Sequence, residues 1–509
     1  MGKINLLEYF EDTVRRLGEK TAVLDGERAV SFRELRREAR ALGCVLRRKT
    51  GGEPGRPAAV YLKKSAGSIA ADLAVLYAGC AYLNLDVDTP LPRTRSALEL
   101  VEPLAVITDR DHAPALRELW PQERTLLLEE ARPPAPAEEA AMDAGLRGLI
   151  DTDLFCLINT SGSTGTPKSV ALCHRSFIDY TTWAIEALGL REEEVLGSLA
   201  PIVFDHFSYE LCLMMALGCT LDLIPEGCAA FPPKLLQHLA KREVTYIFWV
   251  PTIMVNIANL DLLSRIPLPR LRMVWFAGEV FPTKQFNYWR RHLPGATFVN
   301  LYGPTEITVD CTYFVVDREI PDQEPIPIGF PRRNADVLIL REGDLPAGPG
   351  EEGELCVRGS CLALGYYNNP EKTAEAFVQN PLNRAYPERI YRTGDMVFRN
   401  ERGEIVFRGR RDSLIKHAGK RIELGEIEHT AVNALGLVEN GCAVYDGDRR
   451  EIVFFYEARE ELPPARFRRA LLEVLPGYMV PGRFVRMEQL PRNQNGKIDR
   501  LALKKRVNG

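Results

Sequence analysis

The chain alternates amphipathic segments with short apolar runs over most of its length. Segment 31–46 places Phe32, Leu35, Ala39 and Leu42 on one face, which predicts a helix. The same periodicity predicts further helices at 69–77, 175–188 and 205–217. Compact apolar runs bounded by turn residues predict strands at 58–62, 104–108, 154–158, 246–250, 273–276 and 297–301. Strands that alternate with helices are typical of an α/β fold with layered, largely parallel sheets.

The pattern changes near residue 412. Beyond it, the sequence predicts a helix from Gly425, a hairpin around 446–448 and a helix over 464–475. A chain of 509 residues exceeds the size of a single hydrophobic core, so more than one domain is expected. We therefore predict a large N-terminal α/β domain over 1–411 and a small, mobile α+β domain over 412–509. The Pro-, Ala- and Glu-rich stretch 121–144 is interpreted as an exposed connection inside the first domain.

Composition narrows the class of protein. Hydrophobic residues make up 46% of the chain and charged residues 26%, which is ordinary for a soluble globular protein. The net charge of −4 gives no electrostatic reason to expect a nucleic-acid partner. No run of about eighteen apolar residues predicts a membrane span, and the N-terminal residues do not fit a signal peptide. The 11 cysteines lack metal-ligand spacing, so we expect reduced, mostly buried thiols in a cytoplasmic protein.

The stretch 159–168, Asn-Thr-Ser-Gly-Ser-Thr-Gly-Thr-Pro-Lys, follows a predicted strand and is rich in groups that suit phosphate. Glycines bring backbone N–H groups close to a ligand, hydroxyls add rotatable donors, and Lys168 adds a positive charge. One alternative is a plain Ser/Gly-rich surface turn. A sharper alternative is a P-loop, but Pro167 stands where that motif needs its second glycine and has no N–H to offer.

The stretch 160–168 resembles the phosphate loop of the adenylate-forming enzymes. These include amino-acid adenylation domains of nonribosomal peptide synthesis, D-alanine:carrier-protein ligases and acyl-CoA ligases. Segments 302–306 (Tyr-Gly-Pro-Thr-Glu), 391–395 (Tyr-Arg-Thr-Gly-Asp), 409–428 and 495–500 resemble further motifs of the same family. The sequence departs from the family pattern at three positions in or beside these motifs. Asn159 stands for a tyrosine, Ser169 for a glycine and Ala418 for an arginine.

The resemblance implies a site for ATP with Mg²⁺. It implies that Tyr302 stacks on adenine and that Asp395 and Arg410 hold the ribose. Glu306 is implied as the Mg²⁺ ligand, and carboxylate oxygens suit this hard cation. The remaining residues implied in nucleotide binding are Thr160, Ser161, Gly162, Ser163, Thr164, Gly165 and Gly303.

Three catalytic residues and a hinge are implied in the same way. Lys497 resembles the mobile lysine of adenylation, which would bridge the substrate carboxylate and the α-phosphate. Thr305 and Lys168 would contact the phosphates, where positioning and charge stabilisation dominate the chemistry. Asp412 resembles the hinge about which the C-terminal domain turns. Gly419 would lie by the approach path of a thiol, where the lack of a side chain leaves room.

The substrate is expected to be an amino acid. Asp205 would suit a helix N-cap, but the resemblance places it against the α-ammonium of the substrate. The other pocket positions carried over from the family, apart from Lys497, are His206, Tyr209, Phe248, Trp275, Ala277, Leu301, Val309 and Asp310. Three bulky aromatic side chains leave little volume, which favours a small amino acid.

The identity of that amino acid stays open between several hypotheses. Leu301, Val309 and Asp310 resemble the closing part of serine-selecting pockets, whereas Phe248 and Trp275 do not. Asp310 could instead face the second ammonium of a diamino acid. The turn 278–280, Gly-Glu-Val, resembles that of D-alanine:carrier ligases. We rank a small polar, serine-like amino acid first.

The resemblance thus implies an AMP-forming ligase that activates an amino acid with ATP. Because the sequence stops soon after Lys497, we expect a stand-alone enzyme that acts on the phosphopantetheine thiol of a separate carrier protein. An acyl-CoA ligase is a less favoured alternative, since it would have little use for Asp205. A nucleotide-binding regulator without catalysis is the rival of another class, and the presence of Lys497, Glu306 and Asp395 argues against it.

Overall fold

The structure is a computed structural model that describes residues 2–51, 55–160, 168–410, 414–438, 440–458, 461–491 and 498–508. The chain divides into two compact units. Unit 1 comprises Met1–Val87, Val101–Ile158 and Val170–Gly409. Unit 2 comprises Asp88–Leu100, Asn159–Ser169 and Arg410–Gly509. The expected domain boundary between residues 411 and 412 remains a prediction.

The helices, in chain order, are α1 Leu6–Leu17, α2 Phe32–Thr50, α3 Ala66–Tyr77, α4 Leu91–Val101, α5 Ala113–Leu116, α6 Pro136–Gly148, α7 His174–Leu188, α8 Asp205–Leu217, α9 Pro232–Lys241, α10 Pro251–Asn259, α11 Thr283–His292, α12 Pro370–Ala376, α13 Leu424–His429, α14 Pro464–Leu472 and α15 Arg500–Asn508. The local sequence explains both ends of helix α2. Ser31 caps α2 in a reciprocal pair of hydrogen bonds with Glu34, and Gly51 ends that helix in the left-handed conformation.

The strands are β1 Thr21–Asp25, β2 Arg28–Ser31, β3 Pro57–Tyr61, β4 Ala81–Leu85, β5 Val106–Thr108, β6 Thr125–Leu127, β7 Leu154–Thr160, β8 Lys168–Cys173, β9 Val195–Ser198, β10 Thr220–Leu223, β11 Tyr246–Trp249, β12 Met273–Phe276, β13 Thr297–Tyr302, β14 Thr312–Val315, β15 Phe330–Pro331, β16 Ala335–Leu340, β17 Gly353–Gly359, β18 Gly365–Tyr366, β19 Phe377–Gln379, β20 Arg389–Arg399, β21 Ile405–Arg410, β22 Leu414–His417, β23 Lys420–Glu423, β24 Asn440–Asp446, β25 Glu451–Glu457 and β26 Arg483–Met487. The α/β class predicted from the apolar pattern is therefore confirmed.

Unit 1 is built on three sheets. The largest has nine strands in the order β15-β14-β13-β12-β11-β9-β10-β1-β2, and the seven-stranded sheet has the order β18-β8-β7-β4-β3-β5-β6. The pairs β9–β10, β9–β11, β11–β12 and β12–β13 are all parallel, as expected for strands joined by helical crossovers. The third sheet runs β16-β17-β20-β19, with β21 on β20. The carboxyl ends of β11, β12 and β13 thus meet at one edge, where open α/β sheets bind ligands.

The structure shows that one expectation, concerning stretch 121–144, is wrong. It is not simply an exposed connection, because it contains β6, which pairs with β5 at the edge of the seven-stranded sheet, and most of α6. Met142 in α6 is fully buried. The abundance of proline, alanine and glutamate hid these elements, since alanine and glutamate are also good helix formers.

Unit 2 contains a hairpin of β22 and β23 and the sheet β24-β25-β26. Strands β24 and β25 are antiparallel, which agrees with the hairpin predicted around residues 446–448. Phe454, Phe467 and Leu471 belong to an apolar cluster under this sheet. In the described part of both units, no helix is long and apolar enough to cross a membrane.

Unit 1 contains a buried ion pair. The Arg332 side chain is fully buried and donates to Asp179 Oδ2 at 2.5 Å. Asp179 also accepts from Asn334 and Ser360. We expect Asp179→Asn to lower the free energy of unfolding by about 3 kcal/mol, because Arg332 would keep a buried charge without its counter-ion. Urea denaturation measures this change.

The matched control is Glu186→Gln. Glu186 pairs with Arg333 at 3.0 Å, but both side chains are 56% exposed, so this change is expected to have little effect. Equal urea midpoints for the Asp179 and Glu186 variants would contradict the importance of the buried pair.

Candidate active site

The turn after β13 carries several of the predicted site residues. Tyr302 ends the strand, and Gly303 follows it where a Cβ atom would lie 2.5 Å from Asp310 Cα. Only glycine fits this close approach of two backbone segments. Thr308 and Val309 have φ of 57° and 64°, in the left-handed region that β-branched residues rarely adopt. Such local strain is typical of functional loops.

Asp205 accepts hydrogen bonds from residues of this turn. It is the first residue of α8, where the N-cap is Phe204 rather than Asp205. Its partly buried carboxylate accepts hydrogen bonds from the Thr305 hydroxyl and from the backbone N–H groups of His206 and Val309. Burial raises the pKa of Asp205 while these three donors lower it, and the nearby Glu306 charge raises it.

Glu306 follows Thr305 directly in the chain, and its side chain is fully buried. Its Oε1 accepts from the Tyr366 hydroxyl at 2.7 Å, and its carbonyl accepts from the Ala363 N–H at 2.9 Å. No group of three His, Cys, Asp or Glu side chains arranged to hold a metal occurs among the described residues. A Mg²⁺ ion there would therefore use the Glu306 carboxylate together with phosphate oxygens, which is a usual way to bind this ion.

Tyr302 and Asp395 form a second contact. The Tyr302 hydroxyl donates to Asp395 Oδ2, and both side chains are buried. Asp395 N–H in turn donates to Thr393 Oγ1 at 3.0 Å. The Tyr302 ring lies 6.3 Å from that of Phe407. The structure thus brings Tyr302 and Asp395 into contact, and their roles toward adenine and ribose remain predictions.

Three of the predicted pocket residues, Tyr209, Phe248 and Trp275, form an aromatic cluster. The Tyr209 ring stacks on Trp275 with an interplanar angle of 11°, and Phe248 meets Trp275 edge-on with ring centroids 5.8 Å apart. Phe248 and Trp275 are register partners on β11 and β12. The remaining predicted pocket residues lie after β12, at the end of β13 and in the turn beyond it, and are Ala277, Leu301, Val309 and Asp310. Asp310 Oδ2 accepts from the Tyr180 hydroxyl at 2.8 Å.

His206 lies on this cluster and has a buried charged group behind it. Its ring centroid is 3.8 Å from that of Phe248, and Glu210 Oε1 is 3.9 Å from its Nε2. Glu210 accepts from the Ser198 hydroxyl, while Lys64 donates to the carbonyls of Ser198 and Ala200 at 2.8 Å. Burial lowers the pKa of Lys64 and raises the pKa of Glu210. Burial also lowers the pKa of His206 to about 3, with the Lys64 charge adding to the effect.

The ends of the predicted phosphate loop belong to unit 2. Thr160 Oγ1 donates to the Lys168 carbonyl at 3.4 Å. The Lys168 ammonium lies 3.3 Å from Glu423 Oε1. The Ser169 hydroxyl donates to Asn159 Oδ1. Two of the positions that depart from the family pattern are therefore partners of one another.

The other predicted residues of this unit are less fully described. Arg410 ends β21. The remaining predicted site residues lie outside the described residues: Ser161, Gly162, Ser163, Thr164, Gly165, Asp412 and Lys497.

Several residues around the site were missed by sequence reasoning. Glu210 follows His206 by four positions on one helix, so its place beside the imidazole could have been found from that spacing. Tyr366 was assigned no role, although its hydroxyl donates to Glu306. Tyr180 and Lys64 are far from their partners in the chain and carry no local signal.

The chain is similar to known proteins over most of its length. The family model described as AMP-binding enzyme matches residues 10–367. The L-proline–[L-prolyl-carrier protein] ligase of Streptomyces coelicolor is 33% identical over 471 residues, covering 88% of this chain and 87% of that protein. Tyrocidine synthase 2 of Brevibacillus parabrevis is 32% identical over 501 residues, which cover 98% of this chain but only 13% of that much longer protein.

A solved structure extends the likeness to the fold. It is that of an NRPS protein containing adenylation and PCP domains, bound to a vinylsulfonamide inhibitor. The TM-score is 0.82 at 25% identity, with 99% of this chain and 84% of that chain covered. The chain therefore belongs to the AMP-binding enzyme family, within the adenylate-forming superfamily.

Proposed function

We propose that this chain activates a small polar, serine-like amino acid with ATP and transfers it to the phosphopantetheine thiol of a separate carrier protein. The L-prolyl-carrier protein ligase is a relative of similar length, which supports a carrier protein as the acceptor. The solved relative with adenylation and PCP domains supports the same kind of partner.

The observation that carries an amino-acid substrate is the surroundings of Asp205. Three donors surround its partly buried carboxylate. Among the residues that the structure describes, no lysine, arginine or histidine forms an ion pair with it. A substrate α-ammonium would supply the missing positive charge, and a charge-assisted bond in a closed site is strong. A plain fatty or aryl acid would leave Asp205 without a counter-ion, which argues against an acyl-CoA ligase.

In the first step, a carboxylate oxygen of the amino acid attacks the α-phosphorus of ATP. The bond from that phosphorus to the bridging oxygen breaks, and pyrophosphate leaves. Tyr302 and Asp395 would orient the nucleoside, Thr305 and Lys168 would contact phosphate oxygens, and Lys497 would bridge the two reactants. A bound Mg²⁺ on Glu306 would offset phosphate charge. Positioning and charge stabilisation account for most of such catalysis.

In the second step, the carrier thiolate attacks the carbonyl carbon of the aminoacyl adenylate. A carbon–sulfur bond forms, AMP leaves with the oxygen that joined it to the carboxyl group, and the thiol proton passes to solvent. Rotation about Asp412 would withdraw Lys497 and admit the thiol, in a domain motion of a known kind. A D-alanine:carrier ligase or a diamino-acid enzyme would follow the same two steps with another side chain in the pocket.

ATP–pyrophosphate exchange against D-, L- and diamino acids tests the first step. Thioester formation, compared between a carrier protein and free CoA as acceptors, tests the second step. We expect exchange with a small polar amino acid and thioester formation on the carrier only. Efficient transfer to CoA would favour the acyl-CoA ligase, and no exchange with any amino acid would favour the regulator.

Glu423 is expected to compete with phosphate for Lys168. Its carboxylate lies 3.3 Å from the Lys168 ammonium, so ATP binding must displace it or work against its charge. We expect Glu423→Gln to lower the KM for ATP by about threefold in the exchange assay, since even a partly exposed pair is worth a fraction of a kcal/mol. Glu428→Gln removes the same charge nearby from a pair with Arg500 and serves as the control. An equal change in both variants would mean that the pair with Lys168 has no specific effect.

A further inference from the structure

The turn that brings Val309 to Asp205 has a strained backbone. Thr308 and Val309 have φ of 57° and 64°, and both side chains are β-branched. Left-handed backbone is costly for such residues and persists only where the surrounding structure holds it. The contacts that hold this turn therefore bear directly on the hydrogen bond from the Val309 N–H to the Asp205 carboxylate.

Backbone contacts fix the two ends of the turn. Before the strained pair ends, the Thr308 hydroxyl donates to the Cys361 carbonyl at 2.9 Å. Beyond it, the Cys311 N–H donates to the Tyr302 carbonyl at 2.8 Å, and the Arg332 N–H donates to the Cys311 carbonyl at 2.9 Å. Between these fixed points lies Asp310, the residue that directly follows Val309.

Two buried side chains hold Asp310. Arg332 Nε donates to its carbonyl at 3.0 Å, and the Tyr180 hydroxyl donates to its Oδ2 at 2.8 Å. All three side chains are buried. The Tyr180 ring meets the Tyr209 ring edge-on at 4.9 Å and lies 5.3 Å from the Arg332 guanidinium. The position of the Tyr180 hydroxyl is therefore set by packing on α7 and is independent of the turn.

We propose that Tyr180 is a positioning residue for the amino-acid site, because its hydroxyl fixes the Asp310 side chain and so keeps the Val309 N–H on the Asp205 carboxylate. Tyr180 acts through the turn and need not touch the substrate. A hydrogen bond to a carboxylate is one of the stronger kinds, so its loss removes a major restraint beside a strained peptide. This inference rests on the proposed function, in which Asp205 binds the α-ammonium.

Asp310 is itself a predicted pocket residue, which would face the side chain of the substrate. An effect of Tyr180 on side-chain selection would change the ratio of kcat/KM between serine and alanine. An effect through Asp205 would change the binding of both amino acids by the same factor, because both carry the α-ammonium. One assay with these two substrates therefore separates the two routes.

The variant Tyr180→Phe removes the hydroxyl and keeps the packed ring. In ATP–pyrophosphate exchange, we expect the KM for serine and for alanine to rise about tenfold each, as for the loss of a buried hydrogen bond to a charged group. The kcat and the KM for ATP should change less than about twofold, since ground-state binding is what is lost. Unchanged amino-acid KM values, or a changed serine-to-alanine ratio, would overturn the inference.

Tyr77→Phe is the matched control. Tyr77 is also buried, and its hydroxyl donates to Glu11 Oε1 at 2.5 Å, in a contact between α3 and α1. Both variants lose a hydroxyl-to-carboxylate bond, so both should lower the urea midpoint, but only Tyr180→Phe should raise the amino-acid KM. An equal rise in KM in the two variants would mean that lost stability is the cause, and the inference would fail.

The pH profile of the amino-acid KM links the effect to Asp205. The Val309 N–H lowers the pKa of Asp205, so weakening this bond should raise that pKa. The rise in KM on acidification should then begin at higher pH in Tyr180→Phe than in the wild-type chain. Glu306 and the Cys156 thiol also interact electrostatically with Asp205, but they are the same in both proteins. An identical profile would contradict the proposed route.

A double-mutant cycle completes the test. With Asp205→Asn already in place, Tyr180→Phe should raise the amino-acid KM no further, because the two changes act on one interaction. Independent, multiplying effects of the two changes would overturn the inference. Absence of exchange with every amino acid in the wild-type chain would instead overturn the proposed function.

Discussion

Replacing Lys497 by alanine is expected to slow amino-acid-dependent ATP–pyrophosphate exchange by at least about a hundredfold. The reason is that the lysine would stabilise charge on the carboxylate and α-phosphate oxygens as the new bond forms, and removing one such donor typically costs a factor of this size. The prediction depends on the motif Asn-Gly-Lys-Ile-Asp-Arg at 495–500, since residues 492–497 lie outside the described ones. Exchange measured at saturating ATP and amino acid gives the effect on kcat.

A second measurement separates chemistry from folding. The Lys497→Ala variant should still transfer a preformed aminoacyl adenylate to the carrier thiol, because the proposed mechanism gives the lysine no part in that step. Lys504→Ala removes an exposed lysine from α15 and is the matched control, with exchange expected at the wild-type rate. Full exchange activity in Lys497→Ala would remove the catalytic role assigned to this residue.

The sequence predicted the core elements well because their signals are local. Helix α2 begins one residue after Ser31, whose capping pair with Glu34 is readable in the sequence. Strand β12 has the predicted limits, since Met273–Phe276 is a continuous apolar run between polar residues. Strand β6 and helix α6 were missed because their contacts are with distant segments, and composition alone gave no sign of burial.

Motif resemblance named residues for the candidate site, but it did not indicate the hydrogen bonds between them. Motif resemblance named Asp205, Thr305 and Glu306, and the structure brings the first two into contact with the third close by. The sequence could not show that the Tyr180 hydroxyl would donate a hydrogen bond to Asp310. These two residues are 130 positions apart in the chain and meet only in the folded protein. It also could not show that the His206 ring would bond to the backbone of Phe248, which is 42 positions further along the chain.

Replacing Asp205 by asparagine is expected to raise the KM for the amino acid at least about a hundredfold while the KM for ATP changes little. Asparagine keeps the shape of the side chain but removes the charge that the α-ammonium needs, and losing one partner of a buried charged pair costs about 2–5 kcal/mol. The matched substrate is 3-hydroxypropionate, which lacks the α-amine of serine. Wild-type enzyme should discriminate strongly between the two acids, and the variant should not.

The pH dependence of the same KM provides an independent check. Burial raises the pKa of Asp205, so the free enzyme binds a proton on this carboxyl at higher pH than an ordinary aspartate does. Only the ionised form attracts the ammonium, so the amino-acid KM should rise as the pH falls through that raised pKa. In Asp205→Asn this rise should disappear, because no charge remains to be lost. If both proteins showed the same pH profile and the same discrimination against 3-hydroxypropionate, another group would hold the ammonium. An unchanged ATP KM in that variant would then still leave the nucleotide site as described.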